Sequence, residues 1–249
     1  MSTFSVCTYN ILAQSYINHS KKNGVDDTFC SFHTRYAKIV SYLKEHSDIP
    51  LIALQEVESN VFFSLEDELV HHQGLYTQRQ NAKDGLAIFI RHECQVESFQ
   101  SIVLHNEEGK ARRVAQILDC IVEGEPIRIA HVHLDFDPRG KSDGLLQGTK
   151  MMNQLISMEP RQTVVLGDFN AQKDQPVFDL FRHHGFLAAD TTKETCFHGT
   201  SWSRVDHVFY QASMQLSTLT IPDRCASIPN QNWGSDHLPL MCSFQLDED

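Results

Sequence analysis

The feature that most restricts this chain is a series of short apolar runs, rich in β-branched and aromatic residues, each followed closely by polar or ionisable side chains. They lie at 4–9, 51–54, 86–90, 114–122, 127–134, 163–166, 205–210 and 238–244. Runs of this length and composition predict strands, because such side chains pack well on a pleated, half-buried surface. Between some of them the apolar residues recur at helical spacing instead: at 35–45, with Ile39, Val40 and Leu43 inward, at 60–70 and at 145–158. Strands and helices in mixed order predict an α/β sandwich of two sheets with helices outside.

With 249 residues and 41% hydrophobic side chains, the chain can bury one large core. No repeat or Pro/Gly/Ser-rich linker divides it, so residues 1–249 are expected to form one domain. No run of 18 apolar residues appears, and the first residues lack the basic and apolar segments of a secretory signal. The seven cysteines are odd in number and scattered, with no Cys-x-x-Cys pair, which suits reduced, buried thiols. A cytoplasmic protein without membrane contact is expected, with nuclear and organellar locations left open. The formal charge of −11 disfavours a long nucleic-acid footprint, since such affinity comes mainly from Lys and Arg displacing counterions.

The chemistry gathers where the strands end. Asn10 follows the first run, and Glu56, in Leu54-Gln55-Glu56-Val57, follows the second, where a carboxylate can hold a hard cation such as Mg²⁺. In Gly167-Asp168-Phe169-Asn170, a carboxylate and an amide two residues apart suit the orientation of an attacking water, although Gly-Asp and Asn also favour a plain turn. Asp206 opens one run and Ser235-Asp236-His237 precedes the last, a pattern in which a carboxylate can orient an imidazole toward a phosphoryl oxygen. His207, beside Asp206, is read as a structural residue.

His131-Val132-His133-Leu134-Asp135 admits a zinc-hydrolase reading, but Phe136 stands where that pattern needs a further histidine. His133 is therefore read as a phosphate ligand and His131 as packed or solvated. Arg79, Arg112, Arg113, Lys150 and Arg204 are candidates for substrate phosphates. Tyr16, Phe136 and Trp233 are candidates for stacking on a base.

Taken in order, Thr8-Tyr9-Asn10-Ile11-Leu12, Leu54-Gln55-Glu56-Val57, His133-Leu134, Gly167-Asp168-Phe169-Asn170, Val205-Asp206-His207-Val208-Phe209-Tyr210 and Ser235-Asp236-His237-Leu238 resemble the endonuclease/exonuclease/phosphatase superfamily. Three further stretches resemble its deadenylase-related branch, which includes nocturnin, the Angel proteins and the 2′,5′-phosphodiesterases. They are Asn10 to Tyr16, Lys83-Asp84-Gly85-Leu86-Ala87-Ile88-Phe89, and Asp135-Phe136-Asp137-Pro138 through Leu145-Leu146-Gln147. The chain departs from that branch at His131-Val132, where Asn-Thr is usual, at His207, where Tyr is usual, and at Trp233-Gly234. The resemblance therefore carries catalysis further than specificity.

The resemblance implies a deoxyribonuclease-I-like, four-layer α/β sandwich of two mixed β-sheets packed face to face. It implies Mg²⁺, with Mn²⁺ as a substitute, coordinated by Glu56, supported by Asn10 and with Asp236 nearby. Asp168 would orient or deprotonate water, Asn170 would hold that water or the phosphate, His133 and His237 would bind phosphate oxygens, and Asp206 would fix His237. The implied activity is that of a monomeric 3′-exoribonuclease on single-stranded RNA. A phosphatase acting on nucleotides or terminal RNA phosphates is the alternative. A DNA-end or tyrosyl-DNA phosphodiesterase and a catalytically dead binding module are minor readings.

Overall fold

The computed structural model describes residues 2–22, 25–137 and 142–246; Pro138 falls outside them. The chain begins with β1 (Ser2–Asn10), α1 (Ile17–Lys22), α2 (Phe32–Glu45), β2 (Leu51–Glu58), α3 (Ser59–Glu68), β3 (His72–Gln78) and β4 (Asp84–Arg91). It continues through β5 (Gln95–His105), β6 (Ala111–Val122), β7 (Glu125–His133), α4 (Asp143–Ile156), β8 (Gln162–Asp168) and α5 (Pro176–His183). It then forms β9 (Phe186–Ala188), the short pair β10 (Cys196–Phe197) and β11 (Trp202–Ser203), β12 (Asp206–Gln211), β13 (Gln215–Thr220) and β14 (Leu240–Leu246).

Two six-stranded mixed sheets result, ordered β13-β14-β1-β2-β4-β3 and β5-β6-β7-β8-β12-β9. Every run expected to be a strand occupies an interior place in one of them. Of the strands not anticipated, β3, β5, β9 and β13 are the edges of these two sheets, and β10 and β11 pair with each other apart from them.

Alternation of side chains along each strand divides the apolar residues into layers. Phe4 and Val6 of β1, Leu51 and Ala53 of β2, Ile127 and Ile129 of β7, Val164 and Leu166 of β8, and Val208 of β12 meet in a core between the sheets. The opposite faces take the helices. Ile39 and Leu43 of α2 and Val61, Phe62 and Leu65 of α3 cover Tyr9, Ile52 and Leu54. Met151 and Met152 of α4 and Val177, Phe178 and Phe181 of α5 cover Ala130, Val132, Val165 and Phe209. This is the expected four-layer sandwich. Among the described residues no helix is long and apolar enough to cross a membrane.

One polar ladder crosses the inner core. Gln116 donates through Nε2 to Leu86 O, Thr77 Oγ1 and Leu75 O, so its Oε1 is the atom that faces His131 Nδ1 at 2.9 Å. Nδ1 therefore carries the proton, and His131 Nε2 accepts from Gln55 Nε2 at 2.6 Å. His131 is thus packed inside and hydrogen-bonded on both nitrogens, and burial pushes its pKa down to about 3.

A histidine held neutral in the fold but free to protonate near pH 6.5 when unfolded stabilises fully above that pH, and the contribution is lost as pH falls toward its folded value. His131→Asn removes this proton. The stability of the native protein should fall between pH 6 and pH 4 by about 1.4 kcal/mol per pH unit more steeply than that of the variant. Urea denaturation across this range measures the difference, and parallel curves would contradict the assignment.

Candidate active site

The inward alternation that builds the core also delivers the polar cluster. It runs Phe4, Val6, Thr8, Asn10 along β1; Ile127, Ile129, His131, His133 along β7; and Val164, Leu166, Asp168 along β8. Pairing then sets the ends level: His133 lies beside Asp168 across the parallel pair β7/β8, and Asp206 lies opposite Asp168 across the antiparallel pair β8/β12. His207 has the opposite parity and packs against Phe169 and Phe178 under α5, its Nε2 2.8 Å from Ala171 O.

Two local distortions complete the arrangement. The β2/β4 register slips between Gln55 and Val57, and Glu56 adopts φ 58°. Val57 consequently joins the outer core, while Glu56 turns to meet Asn10. Gly167 has φ 142°, and a Cβ there would lie 1.9 Å from Val132 O, so only glycine lets β8 run this close to β7 before Asp168.

Asn10 Nδ2 donates to Glu56 Oε1 at 3.1 Å and to Asp168 Oδ2 at 3.0 Å, joining carboxylates from both sheets. Its Oδ1 accepts from Leu12 N–H. The atom that Asn10 presents to the carboxylates is therefore a donor, while its oxygen is turned to the Leu12 N–H. Asp168 Oδ1 accepts from Asn170 N–H at 2.8 Å, and Asn170 Nδ2 donates to Leu134 O. His133 Nε2 and His237 Nε2 stand 3.5 and 3.8 Å from Asp168 Oδ2. His237 Nδ1 lies 2.9 Å from Asp206 Oδ2.

The two imidazoles are held in different charge states. Burial lowers the pKa of His133, and the nearby Arg113 and Arg79 lower it further, keeping the ring neutral. Arg113 Nη1, necessarily the donor, is 3.3 Å from His133 Nδ1, which leaves the ring proton on Nε2, facing Asp168. Burial also opposes charge on His237, but the Asp206 carboxylate and Cys196 together outweigh it and raise the pKa well above the ordinary value. Burial, then repulsion from Asp206, pushes Asp168 up to about 7. Glu56 is raised by burial and by Asp236.

Beyond His133 the cluster opens past Arg79 and Arg113 into a cleft of about 450 Å³ lined by Tyr16, Arg79, Lys83 and Arg112. Arg79 bonds Asp84 at 2.6 Å, with the Tyr16 hydroxyl on the same carboxylate. Arg113 bonds Asp135 at 2.7 Å, and Arg112 approaches it at 3.6 Å. Phe136, 60% exposed, follows Asp135.

The other candidates are not brought to the cluster. Lys150 Nζ donates to Val103 O on β5, Arg204 donates to Thr191 O and Ala189 O, and Trp233 packs on Tyr42 of α2. A separate cavity of about 200 Å³ beside Arg204, Trp202 and His207 has none of the cluster's side chains in its lining. Sequence reasoning placed Gln147 in a branch-like stretch but gave it no role; it fixes Asp135 through both its amide atoms. The same reasoning missed Arg35, buried behind the cluster.

The match to the endonuclease/exonuclease/phosphatase family model runs over residues 7–237, from β1 to the histidine of this cluster. The chain belongs to that family. Its relatives fall in the deadenylase-related branch. Nocturnin of Xenopus laevis is 26% identical over 99% of this chain and 74% of its own. The CCR4-Not complex 3′-5′-exoribonuclease subunit Ccr4 of Debaryomyces hansenii is 21% identical over 98% of this chain and 39% of its own. Among solved structures, ANGEL2, described as a 2′,3′-cyclic phosphatase and bound to adenosine-2′,3′-vanadate, superposes with TM-score 0.87 at 19% identity, covering 99% of this chain and 96% of its own. The protein is accordingly a hydrolytic phosphoesterase.

The donor set suits a divalent cation. Asp168, Asp206 and His237 bring ligand atoms within 4.8 Å of one another, and buried Asp206 Oδ1 has no hydrogen-bond partner among the described residues. Asp206 Oδ2 already faces His237 Nδ1 at 2.9 Å, and Glu56 and Asp236, which repel one another, are further carboxylates of the kind a hard cation prefers.

Replacing Arg113 with Gln should raise the His133 pKa toward the ordinary histidine value, because a neighbouring cation that opposes protonation is removed. Long-range ¹H–¹⁵N NMR of the native protein should show His133 neutral with the proton on Nε2. A charged ring at pH 7, or a proton on Nδ1, would refute the assignment.

Proposed function

We propose that this protein is a Mg²⁺-dependent phosphodiesterase that shortens single-stranded RNA from its 3′ end. The observation that carries the reading is Asp168, buried between a neutral imidazole, a cationic imidazole and the Asn10 amide. Such a site holds a carboxylate able to take a proton next to donors able to grip an oxyanion. The names of the relatives add RNA as the substrate class, and a cleft bearing Arg79, Lys83 and Arg112 leads to the same point.

On this reading Asp168 orients the water and accepts its proton. Asn170, fixed on Asp168 and Leu134, keeps that loop in register with the phosphate. The Nε2–H groups of His133 and His237 donate to non-bridging phosphoryl oxygens, whose charge grows as water attacks in line; the bond from phosphorus to the ribose oxygen breaks, and that oxygen leaves as a hydroxyl by taking a proton from solvent. Asp206 keeps His237 charged and aimed. Mg²⁺, with Glu56 and Asp236 as its carboxylates, would supply Lewis acidity and offset the negative charge of the site.

A second reading, a phosphatase acting on terminal RNA phosphates or nucleotides, is favoured by the fold likeness to ANGEL2 and by the compact opening beside His133. Incubating 5′-labelled oligo(A) and Mg²⁺ with the native protein, Asp168→Asn and His237→Gln separates the two. A ladder shortening from the 3′ end, with kcat reduced about 10²–10³-fold in each variant, is expected. Release of phosphate without shortening would move the activity to the phosphatase reading. Intact substrate at high enzyme and Mg²⁺ in both assays would end both.

A further inference from the structure

Arg35 stands in the first turns of α2 yet is 3% exposed, which is unusual for a guanidinium unless its donors are satisfied inside. Its Nε donates to Gly234 O at 2.7 Å, its Nη1 to Gln14 Oε1 at 2.8 Å, and its Nη2 to Ile11 O at 2.7 Å and to Leu12 O. Every one of these acceptors belongs to a loop that carries, or directly holds, a group of the metal-binding side.

Ile11 and Leu12 follow Asn10, and the Leu12 N–H fixes Asn10 Oδ1. Ala13 N–H, next along, holds Glu56 Oε2 at 3.0 Å. Gly234 precedes Ser235, whose hydroxyl donates to Asn10 O at 2.6 Å, and Asp236 follows. A Cβ on Gly234 would lie 2.4 Å from Arg35 O, so the loop lies backbone against helix. Asp236 and Glu56 are also the carboxylates that act most directly on the buried guanidinium.

We propose that Arg35 is a positioning residue: its planar fork ties the loop after β1 to the loop before β14, and so sets the separation of Glu56 and Asp236 to that required by one divalent cation. Four donors in one rigid plane fix directions that a lysine cannot reproduce. The buried positive charge also reduces the repulsion that would otherwise drive the two loops apart. Asp168, His133 and Asp206 are held by β-ladder pairing in the other sheet and do not depend on this clamp. The inference rests on the metal-dependent reading above.

The test titrates Mn²⁺ into the native protein, Arg35→Lys and Arg35→Gln, and counts free ion by electron paramagnetic resonance, with thermal melting as the control for folding. Arg35→Lys is expected to weaken Mn²⁺ binding about 10–100-fold, while kcat at saturating Mn²⁺ falls far less than the affinity. Arg35→Gln, which also loses the charge, should be weaker still. Should these variants not fold, Gln14→Ala, which removes one acceptor at a half-buried position, and Gly234→Ala, which pushes the loop off the helix, carry the same comparison.

Native-like Mn²⁺ affinity in every variant that folds, with only the melting temperature lowered, would overturn the proposal and leave Arg35 a plain structural residue. Failure of the native protein itself to bind Mn²⁺ would instead strike the metal-dependent reading.

Discussion

A single amide connects the two halves of this molecule's chemistry. Asn10 ends the inner face of one sheet, and its two N–H donors reach Glu56 in the same sheet and Asp168 in the other. Those bonds are possible because β1, β7 and β8 end close together, with the inward row of each passing from apolar to polar or ionisable residues toward its end. The site is therefore the upper edge of the hydrophobic core itself. Its precision derives from the packing of Val6, Ile129, Leu166 and Val208 beneath it, since close-packed cores resist displacement.

Placing so many carboxylates at one buried rim is electrostatically unfavourable, and the structure answers with differing local partners. Two imidazoles approach one oxygen of Asp168, yet burial and Arg113 oppose a second proton on the His133 ring while Asp206 favours one on His237. The two rings therefore differ in charge although they face the same carboxylate oxygen. Asp135 shows a similar balance one step further out. Burial alone would raise its pKa, but the Arg113 guanidinium and the Gln147 amide together hold it below the ordinary carboxylate value.

What could be read from the sequence follows directly from burial. Interior strands must be apolar on at least one face and usually on both, so β1, β2, β4, β6, β7, β8, β12 and β14 were legible as runs. Edge strands face solvent along one side, and β5 and β13 show it: their residues are mostly exposed or half-buried, with polar side chains such as Glu97, Ser98, Gln100, Ser217 and Thr218. The same logic divides the site. Asp168, Asp206, His133 and Asn10 sit in short motifs at strand ends, whereas Arg35 and Gln147 lie in helices whose periodicity gives no sign that a polar residue turns inward. Lys150 and Arg204, which lie away from the cluster, show the converse: charge alone does not reveal that backbone carbonyls already claim it.

The acidic balance of the chain and the basic lining of its cleft are two parts of one electrostatic design. At −11, most of the surface repels a polyanion, and long-range attraction cannot assemble an extended footprint. Arg79, Lys83, Arg112 and Arg113 concentrate on one side of His133, and Arg79 and Arg113 are already steadied by Asp84 and Asp135. Pre-paired arginines lose little conformational freedom on meeting a phosphate, so they favour geometry over raw attraction. On the proposed reading, a chain end or a single nucleotide reaches the site readily, whereas the body of a long nucleic acid finds little else to hold.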